Sequence, residues 1–134
     1  MHRLIYISRS LIGNDPDALD ALVDRSAACN QERGVTGMLW SDDASFAQVL
    51  EGEHEAVAET MKSIRADTRH TDIEVILDRP IEKRMFGHWA MVLPNAGVES
   101  TAQTAHLIGF AAGEGTPLAR RLYDIVMAAF EQNS

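Results

Sequence analysis

Short runs of β-branched and aromatic residues alternate along the chain with longer stretches whose apolar residues fall three and four apart. Leu4-Ile5-Tyr6-Ile7-Ser8 is a run of the first kind and reads as a strand. Gly13-Asn14-Asp15-Pro16 breaks it and opens a helix. Asp15 can cap, and Pro16 suits the first helical position, where its missing N–H costs nothing. Leu19, Leu22, Val23, Ser26, Ala27 and Asn30 follow at helical spacing and predict a helix over 16–33, stopped by Gly34. Val35 to Trp40 is nearly all apolar and reads as a buried strand. Ser41-Asp42-Asp43-Ala44 is a polar turn, and Ser45 to Leu50 completes a hairpin. Val57, Met61 and Ile64 predict a second helix from about Glu53 to Asp67. Asp72 to Leu77 is a fourth strand, residues 78–87 a charged connection with Pro80 and Gly87, and His88 to Leu93 a fifth strand. Residues 94–100 look like a linker. Thr101 to Ala112 and Pro117 to Glu131 read as two more helices separated by Gly113-Glu114-Gly115, the last striped by Leu118, Leu122, Ile125 and Ala129.

The order β-α-β-β-α-β-β is the split βαβ pattern of an α+β, ferredoxin-like sandwich with one added strand. Two helices cover one sheet face, and the C-terminal helices are expected to cover the other, which would otherwise expose a large apolar patch. With 134 residues the chain suits one compact unit. Within it, residues 1–95 form the main domain and residues 96–134 a helical cap. The net charge of −8 argues against nucleic acid, whose binding needs a basic surface, and against an electrostatic contact with a membrane surface. No apolar run reaches the length of a membrane span, and the N-terminus has no signal-peptide architecture. Cys29 is the single cysteine, so no disulfide framework or cysteine-based metal cage exists. A soluble, cytoplasmic protein is expected.

Polar residues stand where the pattern wants apolar ones. Period-two alternation puts Leu4, Tyr6 and Ser8 on one face, Phe46, Gln48 and Leu50 on one face, and Trp89 and Met91 on one face. Ser26 and Asn30 lie on the apolar stripe of the first helix. If these faces converge, Tyr6, Ser26, Asn30, Gln48 and Trp89 meet between sheet and helices. A buried Gln or Asn without partners costs on the order of 1–3 kcal/mol, so several together ask for a polar ligand or a closed hydrogen-bond network. Each residue also has a plainer reading. Tyr6 fits a core aromatic, Gln48 a solvated face in the other register, Asn30 a local backbone bond, and Trp89 and Met91 ordinary core. Other chemistry is thin. The five histidines, His2, His54, His70, His88 and His106, show no metal-ligand spacing. Glu51, Glu53 and Glu55 read as a solvated acidic helix start. Gly34-Val35-Thr36-Gly37 is not a phosphate loop, and Cys29 has no evident base to make it a nucleophile.

Five segments in order resemble the BLUF domain, a flavin-based blue-light sensor. They are Leu4-Ile5-Tyr6-Ile7-Ser8-Arg9, Asn30 with Gly34-Val35-Thr36-Gly37-Met38-Leu39, Phe46-Ala47-Gln48-Val49-Leu50-Glu51-Gly52, Asp67-Thr68-Arg69-His70, and Phe86-Gly87-His88-Trp89-Ala90-Met91. The resemblance runs from Arg3 to about Leu93. It implies FAD held non-covalently between the two helices. Tyr6 would be the photo-oxidised electron and proton donor, and Gln48 would rearrange its hydrogen bonds between Tyr6 and the flavin. Asn30 would bind the flavin carbonyl edge, Arg69 and His70 would contact the flavin, and Trp89 and Met91 would mark the strand that responds. A Gln side chain has donor and acceptor ends, so it can reverse a hydrogen-bond chain. Arg65, about one turn from Met61, is a candidate for the phosphate arm and equally a solvated helix charge. Cys29 stands where many relatives carry a basic residue, and Gln31 where many carry Asn.

A non-catalytic photoreceptor is thus the first expectation. A ferredoxin-like regulatory domain that binds a small molecule without responding to light is the alternative. A small acylphosphatase-like enzyme is a third, for which Arg9 near Gly13 is the only candidate and no Gly-rich loop supports it. About 40 residues follow the sensor, so output is expected to pass to a separate, unidentified protein, to a homodimer or higher homo-oligomer, or to both. The route is expected to run through the fifth strand to the C-terminal helices.

Overall fold

The computed structural model describes residues 1–13, 15–42, 44–85, 89–92, 105, 107, 109, 113 and 115–132. Five strands, β1 (His2–Ser10), β2 (Thr36–Ser41), β3 (Ser45–Gly52), β4 (His70–Pro80) and β5 (Trp89–Val92), form one sheet in the order β4-β1-β3-β2-β5. Four are antiparallel to their neighbours, and β5 joins the edge parallel to β2. Helices α1 (Pro16–Arg33), α2 (His54–Ala66) and α3 (Pro117–Gln132) complete the described elements. This is the expected α+β, ferredoxin-like arrangement with one extra strand.

The local signals behave as their chemistry requires. Asp15 Oδ1 accepts from the N–H groups of Asp17 and Ala18 at 3.0 and 3.2 Å, ahead of Pro16 in the first turn. Gly34 takes the left-handed conformation after Arg33, and its N–H returns to the helix carbonyls. Asp42 closes the β2–β3 hairpin by accepting from the N–H groups of Ala44 and Ser45.

The sheet separates two cores. Ile5, Ile7, Met38, Trp40, Ala47 and Val49 face α3, where they meet Ala119, Leu122 and Val126, and Leu107 joins the same cluster. Leu4, Tyr6, Val35 and Leu50 face α2 through Val57 and Met61. The C-terminal helix therefore covers the second face, as its stripe predicts. The stripe's centre is displaced by one residue: Ala119, Leu122 and Val126 are fully buried, while Leu118 and Ile125 flank them. The small Ala119 lets the helix approach the sheet there. The helix expected over 101–112 and the linker at 94–100 lie mostly or wholly outside the described residues, although Leu107 is helical and fully buried.

Two readings of charged segments need correction. Residues 78–80 belong to β4 rather than to a connection, because His2, Arg3 and Leu4 pair with Pro80, Arg79 and Asp78. Pro80 sits at the end of an edge strand, where its missing donor is harmless. Glu51 is not part of a solvated helix start. It is fully buried at the end of β3, opposite Arg3 on β1. Arg3 Nε and a terminal guanidinium nitrogen donate to Glu51 Oε2 at 2.9 and 2.7 Å. The Met85 N–H donates to both carboxylate oxygens at 3.0 and 3.1 Å. Arg84 donates to Thr36 Oγ1, Glu51 O and Gly34 O. The Glu51 carboxylate thus ties Met85 to β1 and β3, and Arg84 ties the same segment to the ends of β2, β3 and α1.

Two substitutions test this framework by denaturant unfolding. Glu51→Ala leaves Arg3 and the Met85 N–H without their acceptor and is expected to cost about 3–5 kcal/mol. Gly37 has φ 151°, and a Cβ there would lie 1.8 Å from the Val49 carbonyl oxygen. Gly37→Ala is therefore expected to cost on the order of 3 kcal/mol.

Candidate functional site

Helix α1 fully buries one residue among those described, Asn30. Leu22 and Ser26 of its inward stripe line, with Asn30, a cavity between α1, α2 and the sheet. The cavity holds about 600 Å³ of empty space, including its open mouth. Tyr6, Leu39, Phe46 and Gln48 form its floor, and Ser26, Cys29 and Asn30 line it from α1. Thr60, Ser63 and Ile64 come from α2, with Asp67, Arg69 and His70 following it.

Tyr6 and Gln48 are cross-strand partners in the β1–β3 ladder, so their side chains leave the same face side by side. Both are buried, and the Tyr6 hydroxyl donates to Gln48 Oε1. Burial, with a smaller contribution from the negative charge of Asp67, pushes the Tyr6 phenol far above its ordinary range. Tyr6 is therefore a neutral hydrogen-bond donor at any physiological pH. The solvated register considered for Gln48 does not occur.

His70 spans two elements. Its Nε2 lies 2.7 Å from the Ile64 carbonyl and its Nδ1 2.7 Å from Ser8 Oγ. A carbonyl can only accept, so Nε2 carries a hydrogen and donates to Ile64. The ring also stands 6.1 Å from both Tyr6 and Phe46, centroid to centroid. His70 thus braces α2 against β1 at the cavity wall.

Two polar groups in the wall are unsatisfied. Asn30 Nδ2 and a terminal nitrogen of Arg69 are buried without a hydrogen-bond partner. Both are donors, and both line the cavity. Two buried donors without acceptors are costly, so the cavity suits a ligand that offers oxygen or nitrogen acceptors. The edge of a flavin, with its two ring carbonyls, has this chemistry, and the residues present fit FAD on that ground.

The structure brings Tyr6, Ser26, Asn30, Gln48, Arg69 and His70 to one cavity. Arg65 is exposed and does not line it. Arg25 and Arg33 stand at the α1 wall instead, and Arg33 reaches Ser63 Oγ at 3.1 Å across to α2. Arg25, Cys29 and Arg33 fall at i, i+4 and i+8 beside Ser26 and Asn30, so helical spacing could have found them. Trp89 and Met91 lie in β5, in register with Gly37 and Leu39 of β2. Their side chains lie outside the described residues, as does His88.

The profile of the family described as BLUF, sensors of blue-light using FAD, matches residues 1–92. The chain is 33% identical over 93 residues to the photoactivated adenylate cyclase subunit beta of Euglena gracilis, covering 68% of this chain and 11% of that protein. The alpha subunit from the same organism is 33% identical over 96 residues, 68% of this chain and 9% of that protein. The chain therefore spans about a tenth of the length of these relatives. Among solved structures, the BLUF protein BlrB in its dark state superposes with a TM-score of 0.66 at 27% identity, over 78% of this chain and 92% of that one. BlrP1 of Klebsiella pneumoniae, with FMN and cyclic diGMP, gives a TM-score of 0.66 at 28% identity over 98% of this chain and 35% of that one. By the matched profile, the identity to these relatives and the shared fold, the chain belongs to the BLUF family of blue-light sensors that use FAD.

Proposed function

We propose that this chain senses blue light through FAD held in the α1–α2 cavity, with Tyr6 and Gln48 as the responding pair. The observation that carries the reading is the buried Tyr6–Gln48 hydrogen bond beside two unsatisfied donors, Asn30 Nδ2 and Arg69. When bound, the flavin supplies blue-light absorption and a strong one-electron acceptor; the protein orients it and tunes it. Asn30 and Arg69 hold the acceptor edge of the ring, with Ser26 and His70 completing the wall. Tyr6 would serve as the electron donor to the bound flavin, and because an oxidised phenol is strongly acidic its hydroxyl proton would follow. Gln48 Oε1 is the acceptor already in place. Gln48 then presents its amide in a changed arrangement, since one end donates and the other accepts.

Residues 1–95 are the sensing unit, and residues 96–134 cap it within the same compact body. The chain is not itself a catalyst in this reading. Output passes through the β5 segment bearing Trp89 and Met91 to a homo-oligomer or to a separate effector protein. The names of the relatives, photoactivated cyclase subunits, support an effector of that general kind. Among the described residues no helix is long and apolar enough to cross a membrane, which accords with a cytoplasmic location. The match to a family of blue-light sensors favours the photoreceptor reading over a ligand-binding domain blind to light.

Absorption spectra before and after blue light test the reading directly. The flavin band is expected to shift reversibly to the red, and a chain that takes up no flavin on reconstitution overturns the proposal. Tyr6→Phe is expected to keep the flavin and lose the red-shifted state. It leaves Gln48 Oε1 without its donor at a cost on the order of 1–3 kcal/mol. Gln48→Leu is expected to bind flavin and show no red shift either.

Protonation of Tyr6 gives a separate test. The unfolded chain ionises Tyr6 near pH 10, whereas the native chain holds it neutral, its pKa being raised. This contribution is complete below about pH 10 and declines as pH rises beyond it. Denaturation midpoints of the parent are expected to fall more steeply above that pH than those of Tyr6→Phe.

A further inference from the structure

We propose that Cys29 is a thiol switch on cofactor loading: a mixed disulfide at its sulfur and a flavin in the cavity exclude each other. This rests on the flavin reading of the cavity and adds a covalent control to it. Cys29 is a free, half-buried thiol in the cavity wall. It immediately precedes Asn30, which is 2% exposed and whose Nδ2 lies in that wall without a partner. The space beside Cys29 is therefore where a ligand is needed. Being the only cysteine of the chain, it has no internal partner and can pair only with an external thiol.

The surroundings select the reagent. Arg25 and Arg33 stand one helical turn to either side of Cys29, and both line the same cavity. These two guanidinium groups share the cavity with Arg69, which is paired with Asp67. A half-buried thiol in the wall of an open cavity is within reach of a small disulfide. An anionic low-molecular-weight disulfide fits, its carboxylates meeting the two guanidinium groups. The Cys29 thiol loses its proton to solvent, and Sγ attacks one sulfur of that disulfide. The disulfide's own S–S bond breaks, a new one joins Cys29 to one half, and the other half leaves as a thiolate that takes up a proton. Cys29 is oxidised and the departing half reduced, so no further oxidant is needed. A peptide-sized adduct would then fill the space that the flavin requires.

Oxidised glutathione is the probe, with adduct formation followed by intact mass and flavin followed by absorbance. Protein stripped of flavin is expected to react at least about tenfold faster than protein reloaded with FAD. The modified protein is expected to refuse FAD until dithiothreitol removes the adduct. A second measurement uses only the loaded protein. Its reaction rate is expected to level off as the probe concentration rises, at the rate of flavin release, with one flavin lost per adduct formed. Cys29→Ser is expected to lose no flavin to the probe. Loaded and stripped protein reacting at equal rates, or full modification with the flavin still bound, overturns the switch and leaves the reading of the cavity standing. A chain that takes up no flavin before any treatment overturns both.

Discussion

The register of β1 against β3 is the constraint on which everything else depends. Tyr6 lies opposite Gln48 and Arg3 opposite Glu51 in the same ladder. Side chains alternate across a strand, so the first pair faces the cavity and the second faces the α3 side. A slip of one residue would turn both polar pairs onto the wrong faces and every buried Ile, Leu and Val with them. The two apolar cores therefore enforce the polar geometry. Ile5, Ile7 and Val49 can be buried against α3 only in the register that also joins the Tyr6 hydroxyl to Gln48.

That geometry leaves one helix underemployed. Helix α1 is well capped at both ends, yet the only described side chain it buries fully is polar. Capping and intrinsic propensity alone seldom hold a helix of this length in place; packing of an apolar face does most of that work. Here much of the packing surface is a cavity whose wall contains unsatisfied donors. A ring system with acceptors on one edge would fill the gap, satisfy Asn30 and Arg69, and give α1 its missing partner. Ligand binding and helix docking are in that sense one event, and any ligand that binds only the folded chain stabilises it by mass action.

Much of this was legible in the sequence because it depends on local chemistry. Asp15-Pro16 and Gly34 mark the ends of α1, and alternation sorts Tyr6 with Ser8 and Phe46 with Gln48 onto one face. What escaped depends on distant partners. Glu51 reads as a member of an acidic surface cluster until Arg3 and the Met85 N–H are seen to converge on it from positions 48 and 34 residues away. The length of β4 depends on pairing with the first residues of the chain, which no local pattern around Asp78 announces. Arg65 and Arg33 illustrate the same limit. Both are cations late in a helix, and only the rotation of each helix about its axis puts Arg33 at the cavity and leaves Arg65 in solvent.

The same alternation suggests how a change at the cavity reaches the far side of the sheet. Gln48 lies between Ala47 and Val49, which point the other way into the core against α3. A rearranged Gln48 amide alters what the floor of the cavity accepts and donates. Any backbone adjustment it requires in β3 must move Ala47 and Val49 as well. At the end of that strand Glu51 holds the Met85 N–H, and Arg84 grips both β3 and the end of α1. The lead into β5 is thus fastened to the strand that carries Gln48. Interiors are close-packed and transmit small displacements rather than absorbing them. A displacement of β3 is therefore felt at the α3 face through Ala47 and Val49, and at Arg84 and Met85 through Glu51.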